Sequence, residues 1–305
     1  MDALTQLEIA ASRLHPALIG ANSTRSAEYL QLNGLHVVTF AIFEDFLRRR
    51  TLEILEALGK SKVKFDSFPD EFKLQILQET YKGINFFLSK KVADKTDTLL
   101  IEAMNLNTAA DQKLDFVPSQ FAFGRSQSNV SLAQITAFLD SFGMSSIECL
   151  REIQRRIGFA HLGGPEGIFS RMAENRHSAA HAFNVNFNIV EFADDVKAAF
   201  KVLAFAFDTT LSQRAHALKV ATLKNETLGF FGPDSVVFKS FRFDTIKKQW
   251  RVAIEKHDGE TEQSPVKENS LSAKLSTLLN STKKLEETVY VIDRNGTLTT
   301  WLQPI

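Results

Sequence analysis

The sequence predicts a mainly α-helical protein: a helical bundle fills most of the chain and a small α+β domain follows. Three observations lead there. Only 14 glycines and 7 prolines interrupt 305 residues, and a chain poor in helix breakers has room for long helices. Before Leu218, long stretches repeat apolar residues at three- and four-residue spacing, the period of a helix with one buried face. After Leu218 the pattern changes to alternating β-branched and aromatic residues, the signature of strands. The expected division is a helical domain over residues 1–217 and an α+β domain over residues 218–305.

The first element is Ser26 to Gly59, with Leu32, Leu35, Val38, Ile42, Phe46 and Leu47 in helical register and Leu52, Leu55 and Leu58 continuing it. Ser26 is the expected N-cap and Gly59 the expected closing C′ glycine. A second helix follows Pro69, with Asp70 and Glu71 suited to its positive start. From Asp94 to Val130 the pattern weakens to a short helix at "TLLIEAMNLN" and a loop at "DFVPSQFAFGRSQSNVS". Helices then restart near Ser131 and within "SIECLREIQRRIG", and "HLGGPEG" breaks the chain. Another helix runs from about Pro165 to Phe183, a brief break covers Asn184 to Asn188, and a last long helix follows. In the tail, "SVVFKSFRFD" and "KQWRVAIEK" read as strands, "DGETEQSPVKENS" as a polar loop and "SLSAKLSTLLNSTKKLEE" as a helix. A hairpin closes the chain with Asn295-Gly296 in its turn, a strong short-range hairpin signal.

Composition narrows the function classes. Lys plus Arg and Asp plus Glu each total 36, so the formal net charge is zero. A protein that coats nucleic acid non-specifically is usually basic, so any contact with RNA is expected through a local patch. The one cysteine, Cys149, excludes an internal disulfide framework or a Cys-rich zinc module and points to a reducing compartment. It reads as a small buried hydrophobe. The start "MDALTQLEIAASRLHPALIG" has an early acid and no long apolar run, so neither a signal peptide nor a membrane segment is expected. A cytoplasmic protein is the expectation. The 26 phenylalanines read as core, and 3 tyrosines and 2 tryptophans are few for a sheet that stacks on single-stranded bases.

One stretch concentrates polar chemistry: "ENRHSAAHAF", Glu174 to Phe183. Arg176 and His181 are five positions apart, a spacing that Arg156 and His161 share, with Arg171/His177 and Arg251/His257 one step wider. Context separates them. Arg251 and His257 fall on an expected strand, where they are too far apart for one site. His161 sits at a helix end. Between Arg176 and His181 the residues are polar or small, so nothing shields them from a polyanion. Three readings stand. The cluster is a solvated helix face, the usual fate of helical Arg and His. It is a metal site, since Glu174, His177 and His181 recur at i, i+3 and i+7 along one face, although no His-Glu-x-x-His order or further ligand is evident. Or it is catalytic.

The catalytic reading has a resemblance behind it. Arg176, His177 and His181 resemble the signature of the HEPN superfamily, mostly prokaryotic ribonucleases and toxins: Arg, a polar residue, several residues, then His. The surroundings resemble the RiboL-PSP and MAE-type HEPN branch. "FAIFEDFL" places Glu44 in an apolar run of the first long helix, "SLAQITAFLDSFGM" precedes the Arg-His helix, and "IVEFADDVKAAFKVL" follows it. The likeness spans roughly Ser26 to Gln213. Ala182 stands where many members have Gly, and Phe183 where one toxin branch has Tyr.

The resemblance implies a metal-independent ribonuclease with no cofactor, RNA as its substrate and a homodimer that brings two Arg-His motifs together. It also implies a prokaryotic defence or toxin–antitoxin setting, with an antitoxin or defence protein as partner. The residues suit that chemistry. RNA carries its own nucleophile, the 2′-OH. An imidazole moves protons near neutral pH, giving His181 a base role and His177 that of second proton carrier. The guanidinium of Arg176 grips phosphate through paired N–H bonds. Cleavage would leave a 2′,3′-cyclic phosphate and a 5′-hydroxyl. Asn175 and Ser178 are candidates for phosphate or ribose oxygens. Glu44 is a candidate to orient Arg176 or His181, or an ion-pair partner of Arg48 four positions on. Arg48, Arg49 and Arg50, with Lys60, Lys62 and Lys64, read as an RNA-facing patch or as solvated surface. The alternative from another class is a non-catalytic HEPN dimer that binds RNA or a protein.

Overall fold

The computed structural model describes residues 25–61, 63–89, 97–102, 104, 116–125, 129–143, 145–181, 192, 199–224, 236–255, 261–266, 273, 276–277 and 287–303. A mainly helical N-terminal region is followed by a five-stranded mixed sheet, as the sequence predicts. The helices are α1 (Arg25–Gly59), α2 (Asp70–Ser89), α3 (Leu132–Asp140), α4 (Ser146–Arg156), α5 (Pro165–His181) and α6 (Lys201–Lys224), with single 3-10 turns at Phe65–Ser67 and Ala160–Leu162. The strands are β1 (Val237–Asp244), β2 (Gln249–Glu255), β3 (Thr261–Val266), β4 (Glu287–Ile292) and β5 (Leu298–Leu302). Among the described residues no helix is long and apolar enough to cross a membrane.

The chain divides into two compact units, each discontinuous in sequence. One draws on Met1–Asp45, Leu150–Ala206 and Val236–Pro304, the other on Phe46–Cys149, Phe207–Ser235 and Ile305.

In the first unit, Phe40 and Phe43 of α1 meet Phe169 of α5 edge-on, at ring-centroid distances of 5.9 and 6.4 Å. The sheet order is β3-β2-β1-β4-β5, with β1 and β4 parallel and the other pairs antiparallel. One sheet face receives Phe205, which packs against Tyr290 at 5.4 Å and Trp301 at 5.6 Å. Arg156 fastens α4 to the strands. Its Nε donates to Glu255 at 3.1 Å, its Nη2 donates to the Val236 carbonyl at 3.0 Å, and its guanidinium lies over the Phe238 ring. The other sheet face carries Phe241, Trp250, Val252 and Val266, all buried. Trp250 and Tyr290 are thus core residues and Trp301 is half-buried.

In the second unit a run of edge-on phenylalanines forms the core. Phe65 meets Phe116 at 5.2 Å, Phe72 meets Phe142 at 4.7 Å, and Phe142 meets Phe138 at 5.5 Å. A capping box starts α3: Ser131 Oγ accepts from the Gln134 amide while the Gln134 side chain accepts from the Ser131 amide, filling two orphan donors. Arg214 Nη2 donates to the Gly143 carbonyl at 3.2 Å, and its Nε donates to the Phe142 carbonyl. Cys149 is buried, and burial pushes its thiol up to about 11.

Three local expectations change. Helix α1 includes Ser26 rather than being capped by it, since it opens at Arg25. Gly59 is the last helical residue and is not in the left-handed region. Glycine is needed there because a Cβ would lie 2.2 Å from the Phe116 carbonyl oxygen. The polar loop at Asp258–Ser270 contains a strand, β3. Its Pro265 is tolerated because β3 lies at the sheet edge. The β4–β5 hairpin holds Asn295-Gly296 in its turn, as expected, with positive φ at Gly296 and not at Asn295, the form of a type I turn closed by a glycine bulge. Of the expected helix at 270–287, residues 273, 276 and 277 are helical, and Glu287 instead opens β4. The rest of it, the break at 184–188 and the positions of Ala182 and Phe183 lie outside the described residues.

Candidate functional site

Helix α5 positions the candidate cluster. Pro165, Ile168, Phe169 and Met172 anchor its first half in the core. At about 100° per residue, that buried stripe continues through Asn175, Arg176 and Ala179, all half-buried. The opposite face carries Glu174, His177 and His181, all exposed. His177 and His181 are one turn apart, and their ring centroids are 4.7 Å apart. The helix therefore presents two imidazoles side by side to solvent. Arg176 is their neighbour in sequence but lies about 140° from His181 around the axis. Ser178 is half-buried, between the two faces.

Glu44 is buried on α1, at 6% exposure. Among the described residues no hydrogen bond or ion pair joins it to Arg176 or His181. Arg48 belongs to the other compact unit, where its Nε donates to the Gly124 carbonyl at 2.8 Å. The structure thus brings His177 and His181 together, sets Arg176 and Asn175 on an adjoining face, and holds Arg48 in a separate role. Among the described residues no three of His, Cys, Asp and Glu are grouped so as to hold a metal ion.

Two arginines of the competing pairs, Arg156 and Arg251, have other engagements. Arg156 is committed to Glu255 and Val236. His161 lies in the 3-10 turn after α4. Arg251 pairs with Asp244 at 3.0 Å, and His257 lies outside the described residues.

The arginine run on α1 is not one RNA-facing patch, because Arg50 is buried at 9% exposure. Its Nε donates to Asp208 Oδ1 at 2.6 Å, and its Nη2 donates to Ser212 Oγ at 3.0 Å. The sequence carries one signal for this pairing: Asp208 interrupts the apolar run "KVLAFAFDTTL" on α6, and a carboxylate there needs a cation. The second unit also has an open cleft of about 640 Å³, lined in part by Pro69, Lys73, Asp140, Phe142 and Arg214. None of the expected site residues lines it.

No family model, curated protein or solved structure matches the chain.

Proposed function

We propose that this chain is a metal-independent endoribonuclease of the HEPN type. It cleaves RNA by attack of the 2′-OH on the adjacent phosphate. The observation that carries the reading is the solvent-exposed His177–His181 pair, with rings 4.7 Å apart and Arg176 next in sequence. One imidazole takes the 2′-OH proton as the O2′–P bond forms. The other, protonated, gives its proton to O5′ as the P–O5′ bond breaks. The products are a 2′,3′-cyclic phosphate and a 5′-hydroxyl, with no net uptake of protons. Such acid–base help is worth roughly 10²–10⁴-fold. Arg176 supplies the cation for the phosphorane, from the same copy or from a second copy in a homodimer. The setting that fits is the prokaryotic cytoplasm, in defence or a toxin–antitoxin pair with a partner protein.

A second reading, a non-catalytic HEPN dimer that binds RNA or a partner protein, is favoured by one observation: Arg176 continues the buried stripe of α5 while His181 faces away from it.

One experiment tests both. RNA cleavage is measured in EDTA for wild type and for Arg176→Ala, His177→Ala and His181→Ala, and the new 3′ ends are read chemically. The ribonuclease reading expects EDTA-resistant cutting, cyclic phosphate ends, and about 100-fold or greater loss in each histidine variant. Cutting that EDTA abolishes, or that survives all three substitutions, overturns it. RNA binding by the wild type without cutting of total tRNA, rRNA or mRNA establishes the scaffold.

A further inference from the structure

We infer that Glu174 reads a base for the α5 site and selects a guanine next to the scissile phosphate. This rests on the ribonuclease reading of that face and adds a sequence preference to it.

Glu174 shares the exposed face of α5 with His177 and His181. At about 100° per residue the three lie within about 60° of one another around the helix axis. With a rise of about 1.5 Å per residue, Glu174 is about 4.5 Å along the axis from His177 and about 10.5 Å from His181. The imidazoles themselves are close, with ring centroids 4.7 Å apart. A phosphate held at the two rings therefore leaves a neighbouring base of its strand beside Glu174. Among the described residues no hydrogen bond or ion pair engages the Glu174 carboxylate.

An exposed glutamate is ordinarily a solvated one. This one stands where a polyanion must lie, and like charges repel. The bound strand offsets that repulsion by turning donors toward the carboxylate. Phosphate oxygens only accept, and a carboxylate accepts through both oxygens and donates nothing. The donors must come from a base, whose Watson–Crick edge is free to be read in single-stranded RNA. Guanine alone carries two donors side by side there, N1–H and N2–H, matching the two carboxylate oxygens. Adenine and cytosine each set one amino group beside a ring nitrogen that accepts, and uracil sets one N–H between two carbonyls. In those three an acceptor faces the carboxylate. A glutamine at this position offers one acceptor and one donor, which suits the adenine edge instead.

The full chain, as wild type and as Glu174→Gln, is given four short single-stranded RNAs that differ at one central base, in EDTA, and cutting rates beside that base are measured. The same four sequences made with 2′-O-methyl ribose, which lack the nucleophile, report binding alone. The expected result is a preference for guanine of about tenfold or more in cutting and in binding, the lower end of what a two-pronged base contact supplies. Glu174→Gln should abolish that preference and favour adenine. Equal cutting of all four RNAs, preference for another base, or a guanine preference that Glu174→Gln leaves intact overturns the proposal and leaves the ribonuclease reading standing. A uniform loss of cutting for every base also overturns it, and makes Glu174 a positioning residue for His177. Guanine-selective binding that Glu174→Gln switches, without cutting, supports base reading and removes the ribonuclease. Neither binding nor cutting overturns both.

Discussion

Replacing Asp208 with alanine removes the carboxylate that neutralises a buried arginine, and its cost follows from the geometry. Arg50 Nε is 2.6 Å from Asp208 Oδ1. Ser212 Oγ accepts from Arg50 Nη2 and donates to Asp208 Oδ1, each at 3.0 Å. Removing one partner of a buried ion pair costs about 3–5 kcal/mol, because the other charge stays behind uncompensated. Glu53 remains near Arg50, with Oε2 3.0 Å from Nη1, but it is 56% exposed and screened by water. It moderates the loss, which places Asp208→Ala near the lower bound, about 3 kcal/mol. Exchanging both charges for apolar side chains, Arg50→Met with Asp208→Leu, leaves neither charge of the pair alone in the core and should regain most of that loss. The assay is urea unfolding followed by far-ultraviolet circular dichroism and by labelling of Cys149. Two probes are needed because two compact units need not unfold together. Asp208→Ala within about 0.5 kcal/mol of wild type would refute the reasoning, as would a double variant weaker than either single one. Arg50→Met also separates core from patch: a core arginine lowers the urea midpoint, and a surface RNA contact lowers RNA affinity alone.

Gly59→Ala should destabilise by about 2 kcal/mol in the same urea assay: overpacking against a backbone oxygen 2.2 Å away costs up to about 3 kcal/mol, and the better helix propensity of alanine returns about 1 kcal/mol. His36 packs edge-on to Phe192 at 4.6 Å, and burial pushes its imidazole down to about 4. The unfolded chain therefore binds that proton more readily. The stability involved is fully present above pH 6.5 and is lost as pH falls toward 4, about 3 kcal/mol in all. Thermal melts across pH 4–7.5 should show a flatter acid limb for His36→Met than for wild type, and equal slopes would remove His36 as the cause.

The parts of the fold legible in the sequence are those set by local rules. The periodicity of α1 and α2, the Pro and Gly breaks around α5, and the alternation of β1 and β2 are written into neighbouring residues. What escaped depends on distant partners. Gly59 reads as a chain terminator until the Phe116 carbonyl is seen against it. Residues Thr261–Val266 read as loop because an edge strand with one pairing neighbour needs little apolar alternation, and Pro265 argues against a central position. Arg50 reads as one of three surface arginines because Asp208 is 158 positions away.

The candidate site divides along the same line. Sequence spacing identifies His177 and His181 as neighbours, since four residues make one turn, and their rings do meet. It says nothing about Arg176, because only the stripe of Ile168, Phe169 and Met172 shows which way that face turns. The two faces make separable predictions. His177→Ala and His181→Ala truncate exposed side chains that pack on no core and should change stability by less than about 0.5 kcal/mol. Arg176→Ala removes a half-buried stem that continues the apolar stripe and should cost about 1 kcal/mol. The histidine variants are therefore the cleaner test of chemistry: a loss of cleavage in them, with an unchanged urea midpoint, reports on proton transfer. Arg176→Lys completes the argument. It keeps the stem and the charge but not the two-pronged donor, so a phosphate-gripping role predicts lost cleavage at wild-type stability, and a purely packing role predicts retained cleavage.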